Sequence, residues 1–244
     1  MAHWNEEQHA YWDRIAPGYE SLYQSRWSLL EDSYAVELLR EIAVSDKSST
    51  LDLGAGTGLG HALLQSAGFE GKYHARDVSP LMIHALLQRV PTAVATVGPM
   101  DDLALYSGAT FDLVVSLNTS CSFARSPVAL LEEIHRVLRP NGVAVLSFLG
   151  RRSLGFSRLL FHALLSRYST RNAASTLGST PAWFVSPRIV AELLVDAGMT
   201  ESRLHSYSLF RGRLESPALW PLDQWLCRKF PSFGGVLYSV SKKA

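Results

Sequence analysis

The sequence has few cysteines, no long apolar run and almost no net charge. Two cysteines, Cys121 and Cys227, are too few for a disulfide framework or a cysteine-based zinc site. No run of about 18 apolar residues is present, and the first residues, MAHWNEEQHAYWDRI, lack the apolar stretch of a signal peptide. These absences predict a cytoplasmic protein without a transmembrane segment.

The formal charge of +1 argues against a general binder of polyanions. The charge is unevenly divided, however. Residues 1–150 carry 10 Lys/Arg and 17 Asp/Glu, whereas residues 151–244 carry 13 and 5. The basic C-terminal part favours an anionic substrate or an anionic surface. An uneven distribution of charges on a solvated surface, without any function, gives the same pattern.

The chain of 244 residues, 47% of them hydrophobic, is long enough to bury a full core as one domain. Between about residues 50 and 150, short apolar runs alternate with helical patterns, which is typical of α/β folds. We predict a Rossmann-like, doubly wound sheet of seven strands, mostly parallel with an antiparallel last strand, and helices on both faces. The predicted strands are 49–53, 72–77, 92–97, 111–117, 143–149, 204–210 and 235–241, and the predicted helices are 58–67, 80–88, 127–138 and 186–197.

The single domain divides into four predicted parts. They are an N-terminal helical cap (1–45), a cofactor-binding core (46–150), a lid or substrate insert (151–183) and the C-terminal part of the sheet (184–244), which holds a second insert at 211–232. Ser79 and Ser186, each followed by proline, are predicted helix caps. Pro140-Asn141-Gly142 is predicted to form a turn before the fifth strand.

The segment LDLGAGTG (51–58) follows a predicted strand and opens a helix. Its glycines allow close approach of the backbone to a ligand, and the helix start offers unpaired N–H donors. Asp77, 19 residues beyond Gly58, ends the next strand, where a carboxylate can bind both hydroxyls of a ribose. The dinucleotide fingerprint would need glycine where Leu59 stands. The pattern therefore indicates a nucleoside without a pyrophosphate.

These residues resemble the class I S-adenosylmethionine-dependent methyltransferases, over about 50–150 and 186–241. The matching segments are LDLGAGTG (51–58), DVSPLM (77–82), FDLVVS (111–116), EIHRVLRPNG (133–142) and SPRIVAELLVDAGM (186–199). In addition, YWDRIAPGYESLY (11–23) is similar to the branch that includes quinone, natural-product and sugar methyltransferases.

The resemblance implies that S-adenosylmethionine is the cofactor. It assigns Tyr19, the Gly54–Gly56 turn and Asn118 to the methionine part and Asp77 to the ribose. Many relatives have Gly-Asp where this chain has Gly98-Pro99, so Asp101 becomes the partner of the adenine amino group. The implied cofactor residues are Tyr19, Gly54, Ala55, Gly56, Asp77, Val78, Met82, Met100, Asp101, Asp102 and Asn118.

Simpler structural roles fit several of these residues. Met82 and Met100 also suit a plain core. Tyr11 and Tyr19 have the helical spacing of core residues, and only the resemblance marks them as a cover. Asp52 is expected to fasten the glycine turn through backbone N–H groups rather than to contact a ligand.

Methyl transfer from a sulfonium is an in-line displacement in which the protein aligns the reactants and excludes water. A general base is needed only when the acceptor must lose a proton. The catalytic candidates are His9, Tyr11, His162 and Tyr168, each of which also fits a surface or packing role. No metal-ligand cluster is visible in the sequence, so no metal is expected.

In the insert at 151–183, Phe156, Leu160, Ala163 and Leu164 follow helical spacing, and Arg158, His162 and Ser166 fall on another face. Such a helix could admit a hydrophobic or anionic acceptor or contact a membrane surface; the alternative is a lid helix packed on the sheet.

Several functions are compatible with these motifs. The leading hypothesis is methyl transfer to oxygen, nitrogen or carbon of a small molecule in biosynthesis. RNA or protein methylation is an alternative, but no appended binding domain or basic–aromatic platform suggests a nucleic-acid partner. A non-catalytic S-adenosylmethionine binder is another. A nicotinamide oxidoreductase is disfavoured by Leu59.

Overall fold

A computed structural model describes residues 2–151, 169–175, 178–210 and 216–244. Its strands are β1 (Ser49–Leu53), β2 (Lys72–Asp77), β3 (Val94–Val97), β4 (Phe111–Ser116), β5 (Leu138–Gly150), β6 (Ser169–Ser175), β7 (Gly178–Val185), β8 (Met199–Tyr207) and β9 (Val236–Lys243). Its α-helices are α1 (Ala2–Ile15), α2 (Arg26–Glu41), α3 (Leu59–Ser66), α4 (Pro80–Arg89), α5 (Pro127–Val137), α6 (Pro187–Asp196) and α7 (Trp220–Lys229). Among these residues, no helix is both long and apolar enough to cross a membrane.

The strands form one sheet, and the predicted α/β fold is confirmed. Strands β3, β2, β1, β4 and β5 lie side by side in that order and are all parallel. Strand β9 runs antiparallel between β5 and β8. The chain order reverses between β1 and β4, and this reversal opens a crevice at the carboxyl ends of the strands.

Helices cover both faces of the sheet because the central strands are apolar on both sides. Val114 packs with α5 and α6 in one core cluster, and Val115 packs with α2, α3 and α4 in the other. Both valine side chains are fully buried, which contributes roughly 1.5–3 kcal/mol each. The continuous apolar run of β4 is therefore explained by its central place in the sheet.

Serine–proline pairs cap the starts of three helices. The side chains of Ser79, Ser126 and Ser186 accept hydrogen bonds from Met82 N, Ala129 N and Ile189 N. Each serine is followed by proline, whose missing N–H costs nothing in the first helical turn. The predicted caps at Ser79 and Ser186 are confirmed.

Within the described residues the sheet has nine strands rather than the predicted seven. The additional pair, β6 and β7, is an antiparallel hairpin that begins in the predicted insert at 151–183 and extends two residues past it, and β7 pairs with the end of β5. The predicted helical stretch from 156 to 166 lies outside the described residues. The second insert contains α7.

Several predicted boundaries differ from the structure, most of all at β5 and at β8, where the predicted strand 204–210 is observed as Met199–Tyr207. Strand β5 begins at Leu138, not at Val143, because a bulge absorbs the predicted turn: pairing passes from Phe111–Leu138 to Leu113–Val143, with Asn141 at a φ of 63°. The last strand, β9, is antiparallel as predicted; it is interior and buried over residues 236–241, and β8 beside it forms the edge of the sheet.

We predict that Gly60→Ala destabilises the fold. A Cβ at Gly60 would overlap with Oδ2 of the buried Asp52, and this overpacking costs about 1–3 kcal/mol. The clash outweighs the gain of about 1 kcal/mol that alanine brings to a helix. The free energy of unfolding in urea measures the effect.

Gly108→Ala is the matched control. Gly108 is exposed, and its added Cβ would lie 3.4 Å from the Arg136 carbonyl oxygen, so we expect a change within about 0.5 kcal/mol. Equal stability of Gly60→Ala and the wild type would contradict the packing described here.

Candidate functional site

The crevice at the carboxyl ends of the strands holds a cavity of about 580 Å³, part of it open to solvent. The loops after β1, β2, β3 and β4 form its floor and walls, and α1 with the 3₁₀ segment Ala16–Tyr23 covers it. The lining residues are Asn5, Gln8, Trp12, Tyr19, Gly54, Gly56, Asp77, Val78, Met82, Gly98, Pro99, Met100, Asp101, Ser120, Phe123, Ala124 and Arg125.

The loop after β1 requires glycine. Gly54, Gly56 and Gly58 have φ values of 70°, 53° and 98°, in the left-handed region that other residues avoid. A Cβ at Gly54 would lie 2.7 Å from the Ser120 Cβ, so the loops after β1 and β4 touch only because a side chain is missing. This closeness leaves bare backbone facing the cavity.

Asp77 at the end of β2 is buried beside this loop. Its Oδ2 accepts a hydrogen bond from Gly56 N at 2.9 Å, and its Oδ1 accepts one from Ser79 N at 2.9 Å. Burial raises the pKa of Asp77 to about 6, although the backbone hydrogen bonds from Ser79 and Gly56 lower it. Because each carboxylate oxygen can accept a second hydrogen bond, Asp77 can also bind two hydroxyls of a ligand.

A second buried carboxylate stands at another wall. Asp101 Oδ2 accepts from Ser126 N at 3.0 Å and lies 3.5 Å from Arg125 Nε. Its Oδ1 is buried without a hydrogen-bond partner among the described residues. An unpaired buried acceptor is costly. The arrangement therefore suits a ligand that brings an N–H donor.

Apolar side chains stand between the two carboxylates. Val78, Met82 and Met100 line the cavity together with the turn at Gly98 and Pro99. The Arg76 Nε holds this turn by donating to the Pro99 carbonyl at 2.8 Å. The result is an apolar slot with a hydrogen-bonding group at each side, as a flat heterocycle requires.

The cover over the cavity is aromatic. The Trp12 ring lies 5.0 Å from the Phe123 ring and 6.2 Å from the Tyr19 ring, measured between centroids, in edge-to-face geometry. Tyr19 lies over Gly56: a Cβ built there would be 3.7 Å from the Tyr19 ring.

Polar contacts fasten the cover to the core. Asp13 accepts hydrogen bonds from the Ser79 hydroxyl and from Leu81 N, both at the start of α4. Glu20 accepts from the Thr57 hydroxyl at 2.9 Å and pairs with Arg89. These contacts connect the cover to the glycine loop and to α4, the helix that follows Asp77.

Eight of the eleven predicted cofactor residues line the cavity: Tyr19, Gly54, Gly56, Asp77, Val78, Met82, Met100 and Asp101. Ala55 belongs to the glycine loop but is buried in the core cluster behind it. Asp102 is exposed, and Asn118 lines a neighbouring cavity of about 330 Å³ instead. The roles assigned to all of these residues remain predictions.

The two catalytic candidates among the described residues lie outside the cavity lining. His9 is half exposed, with Nε2 3.0 Å from Asp13 Oδ2, and Tyr11 is buried in a small core beside Ile15. Neither residue lines the cavity. His162 and Tyr168 lie outside the described residues. In the described ranges, no group of His, Cys, Asp or Glu side chains is arranged to hold a metal ion.

Several lining residues were not anticipated from the sequence. Asn5, Gln8 and Trp12 come from α1, and their spacing of three and then four residues places them on one helix face. This helical spacing is the feature of the sequence from which a shared surface could have been predicted. Ser120 and the residues from Phe123 to Arg125 come from the turn after β4 and carry no comparable pattern.

Asp52 lies beneath the glycine loop, away from the cavity. It is fully buried and accepts a hydrogen bond from the Tyr73 hydroxyl at 2.7 Å, so its partner is a side chain rather than the backbone groups expected from the sequence. Burial raises the pKa of Asp52 to about 7, and the charge of Asp77 adds to this effect.

Residues 51–146 match the family model described as a methyltransferase domain. Over 124 residues the chain is 32% identical to a malonyl-[acyl-carrier protein] O-methyltransferase of Laribacter hongkongensis. The alignment covers 46% of this chain and 40% of that relative, so the chain spans well under half the length of the curated relative that it matches.

Solved structures share the fold over most of the chain. An S-adenosylmethionine-dependent methyltransferase of Thermotoga maritima, described as a possible histamine N-methyltransferase, superposes with a TM-score of 0.62 at 17% identity, covering 97% of this chain and 100% of its own. The 1,6-didemethyltoxoflavin-N1-methyltransferase of Burkholderia thailandensis, whose structure holds 1,6-didemethyltoxoflavin and S-adenosylhomocysteine, superposes with a TM-score of 0.56 at 18% identity. The superposition covers 97% of this chain and 90% of that one.

The two raised carboxyl pKa values predict a pH dependence of stability. Between about pH 4 and about pH 7 the folded chain holds protons on Asp52 and Asp77 that the unfolded chain has released. Stability contributed by these groups therefore falls as the pH rises through that window. As the pH rises from about 4 to about 7, the free energy of unfolding of Asp52→Asn should increase relative to that of the wild type by on the order of 2–4 kcal/mol.

Urea unfolding at several pH values measures this difference. Asp46→Asn, an exposed aspartate near the amino ends of the strands, is the control and should follow the wild-type curve. A stability difference between Asp52→Asn and the wild type that stays constant with pH would refute the account of Asp52.

Proposed function

We propose that this chain, which belongs to the class I S-adenosylmethionine-dependent methyltransferases, transfers the methyl group of S-adenosylmethionine to an oxygen, nitrogen or carbon atom of a small-molecule acceptor. The observation that carries the proposal is one cavity bounded by a bare glycine loop and two buried carboxylates. Asp77 is oriented by backbone N–H groups, and Asp101 presents an unpaired oxygen.

The cavity suits the parts of this cofactor. Asp77 would bind the ribose hydroxyls, and Asp101 Oδ1 would accept a hydrogen bond from the adenine amino group, which satisfies the buried acceptor. Val78 and Met82 would flank the ring. The backbone at Gly54 and Gly56 would then meet the methionine part, with Tyr19 above it.

A dinucleotide suits the site less well. The third fingerprint glycine, which lets a pyrophosphate approach a helix start, is replaced by Leu59, and Leu59 packs against the core. A nucleoside that ends in an amino acid needs no such approach. This difference favours methyl transfer over hydride transfer.

The bound cofactor supplies the activated methyl group on its sulfonium, and the protein's part is to orient and to exclude water. The aromatic cover of Trp12, Tyr19 and Phe123 shields the cavity. Aromatic faces can also stabilise a positive sulfur by cation–π attraction. Gln8 Nε2 donates to the Pro181 carbonyl at 2.6 Å, which joins the cover to the β6–β7 hairpin.

A base is needed only for an acceptor that must lose a proton. The lining within the described residues contains no histidine, lysine or cysteine. For such an acceptor we therefore keep His162 and Tyr168 as candidates and give His9 and Tyr11 no role. A nucleophile that reacts unprotonated, such as a carboxylate or a neutral amine, would need positioning alone.

The relatives indicate the range of acceptors. One relative is an O-methyltransferase of a malonyl group on a carrier protein, and one structural neighbour is an N-methyltransferase of a heterocycle. Both oxygen and nitrogen acceptors are therefore included in the proposal.

Formation of S-adenosylhomocysteine from S-adenosylmethionine, with a panel of phenols, amines and carboxylic acids, tests the proposal. We expect turnover with at least one acceptor class. Asp77→Asn should lower kcat/KM for S-adenosylmethionine by about 10- to 100-fold, because a hydrogen bond to a charged acceptor is weakened. Asp196→Asn, an exposed aspartate at the end of α6, should behave like the wild type.

Unchanged kcat/KM in Asp77→Asn would contradict the placement of the cofactor. Normal binding of S-adenosylmethionine without turnover of any acceptor would favour a non-catalytic binder instead.

A further inference from the structure

Helix α7 exposes large apolar side chains. Leu222 and Trp225 are 45% and 55% exposed, and Phe230, the residue after the helix, is 43% exposed. Leu222, Trp225 and Lys229 recur at spacings of three and four residues and therefore lie on one side of the helix. With Arg228 and Phe230 they form a surface that we call the Trp225 face.

The Trp225 face combines aromatic rings with positive charge. The Lys229 Nζ lies 5.2 Å from the centroid of the Trp225 ring and 5.7 Å from that of Phe230. Arg228, the residue before Lys229, is also exposed. Lysine stems can cover apolar surface while the charged end stays in water.

The acidic residue of α7 is turned away from this face. Asp223 is fully buried, and its carboxylate accepts hydrogen bonds from Ser208 N at 2.8 Å and Phe210 N at 3.0 Å. The exposed part of α7 therefore carries cations and no carboxylate. Across residues 151–244 the balance is also basic, with 13 Lys/Arg against 5 Asp/Glu.

The opposite side of α7 is already anchored. At its first residue, the Trp220 ring packs edge-to-face against Trp27 and Tyr207, with centroids 5.1 and 6.0 Å apart. Tyr207 ends β8 at the carboxyl edge of the sheet and lines the cavity that neighbours the cofactor site. The face is thus held in place beside the edge where the proposed chemistry occurs.

We propose that the Trp225 face binds the surface of a lipid bilayer that contains anionic lipids. Tryptophan and phenylalanine favour the boundary between acyl chains and headgroups, and nearby arginine and lysine attract anionic headgroups. A second copy of the chain fits less well, because a two-fold pairing of the face would bring Arg228 and Lys229 against their own copies.

Sedimentation with lipid vesicles tests the proposal on the whole chain. We expect the wild type to sediment with vesicles of phosphatidylcholine mixed with phosphatidylglycerol, and to stay in solution with phosphatidylcholine alone. The double variant Leu222→Ser, Trp225→Ser should lower the bound fraction about tenfold or more, since it removes the apolar contact. Arg228→Gln with Lys229→Gln should lower it comparably and reduce its sensitivity to salt.

Leu29→Ser is the matched control. Leu29 is a helical leucine that is 56% exposed on α2, so its loss should leave vesicle binding unchanged. Trp225→Phe, a mild substitution, gives a second readout: quenching of tryptophan fluorescence by brominated lipid should be strong in the wild type and weaker in this variant.

Three results would overturn the proposal. The first is no sedimentation of the wild type with either vesicle, and the second is sedimentation that the α7 variants leave unchanged. The third is a dimer in vesicle-free solution that the Leu222→Ser, Trp225→Ser variant dissociates, because the face would then be a protein interface.

Discussion

The hydrogen bond from Gly56 N to the Asp77 carboxylate joins the two loops on which the site depends. It forms because Gly56 takes a left-handed backbone and because β1 and β2 are parallel neighbours that end at the same edge. Burial makes the carboxylate costly, and the backbone donors offset part of that cost. A ligand that adds hydroxyl donors to Asp77 would offset more of this cost and would therefore stabilise this edge of the sheet.

Asp101 places a second buried carboxylate at the opposite wall of the cavity. Its Oδ2 accepts a hydrogen bond from the backbone N–H of Ser126, the N-cap residue of α5, and its Oδ1 is buried without a partner among the described residues. The apolar slot between Asp77 and Asp101 is therefore bounded by two acceptors at fixed positions. The proposed specificity for an adenine nucleoside rests on this placement.

Local sequence signals are sufficient to predict the structure at the carboxyl ends of the parallel strands. The serine–proline caps of α4 and α6 depend on neighbouring residues only, and the glycine loop encodes its own backbone conformation. These features of the fold were predictable, and so was the alternation of parallel strands and helices.

Long-range pairing was not predictable in the same way. The β6–β7 hairpin pairs with β5 through only two residues of each strand, and the interior place of β9 depends on which strands it meets. Similarly, the helical spacing of Asn5, Gln8 and Trp12 defines a face of α1, but only packing shows that this face covers the cavity. The bulge at Asn141 replaced a predicted turn because strand pairing overrides local turn preference.

Calorimetric titration of the wild type with S-adenosylhomocysteine, S-inosylhomocysteine and NADH tests the central claim most directly. The account predicts binding of S-adenosylhomocysteine, binding of the inosine analogue that is weaker by about tenfold or more, and no binding of NADH. The inosine analogue replaces the amino donor by a carbonyl, which leaves Asp101 Oδ1 unsatisfied. Equal affinity for the two sulfur nucleosides, or tighter binding of NADH, would contradict the account.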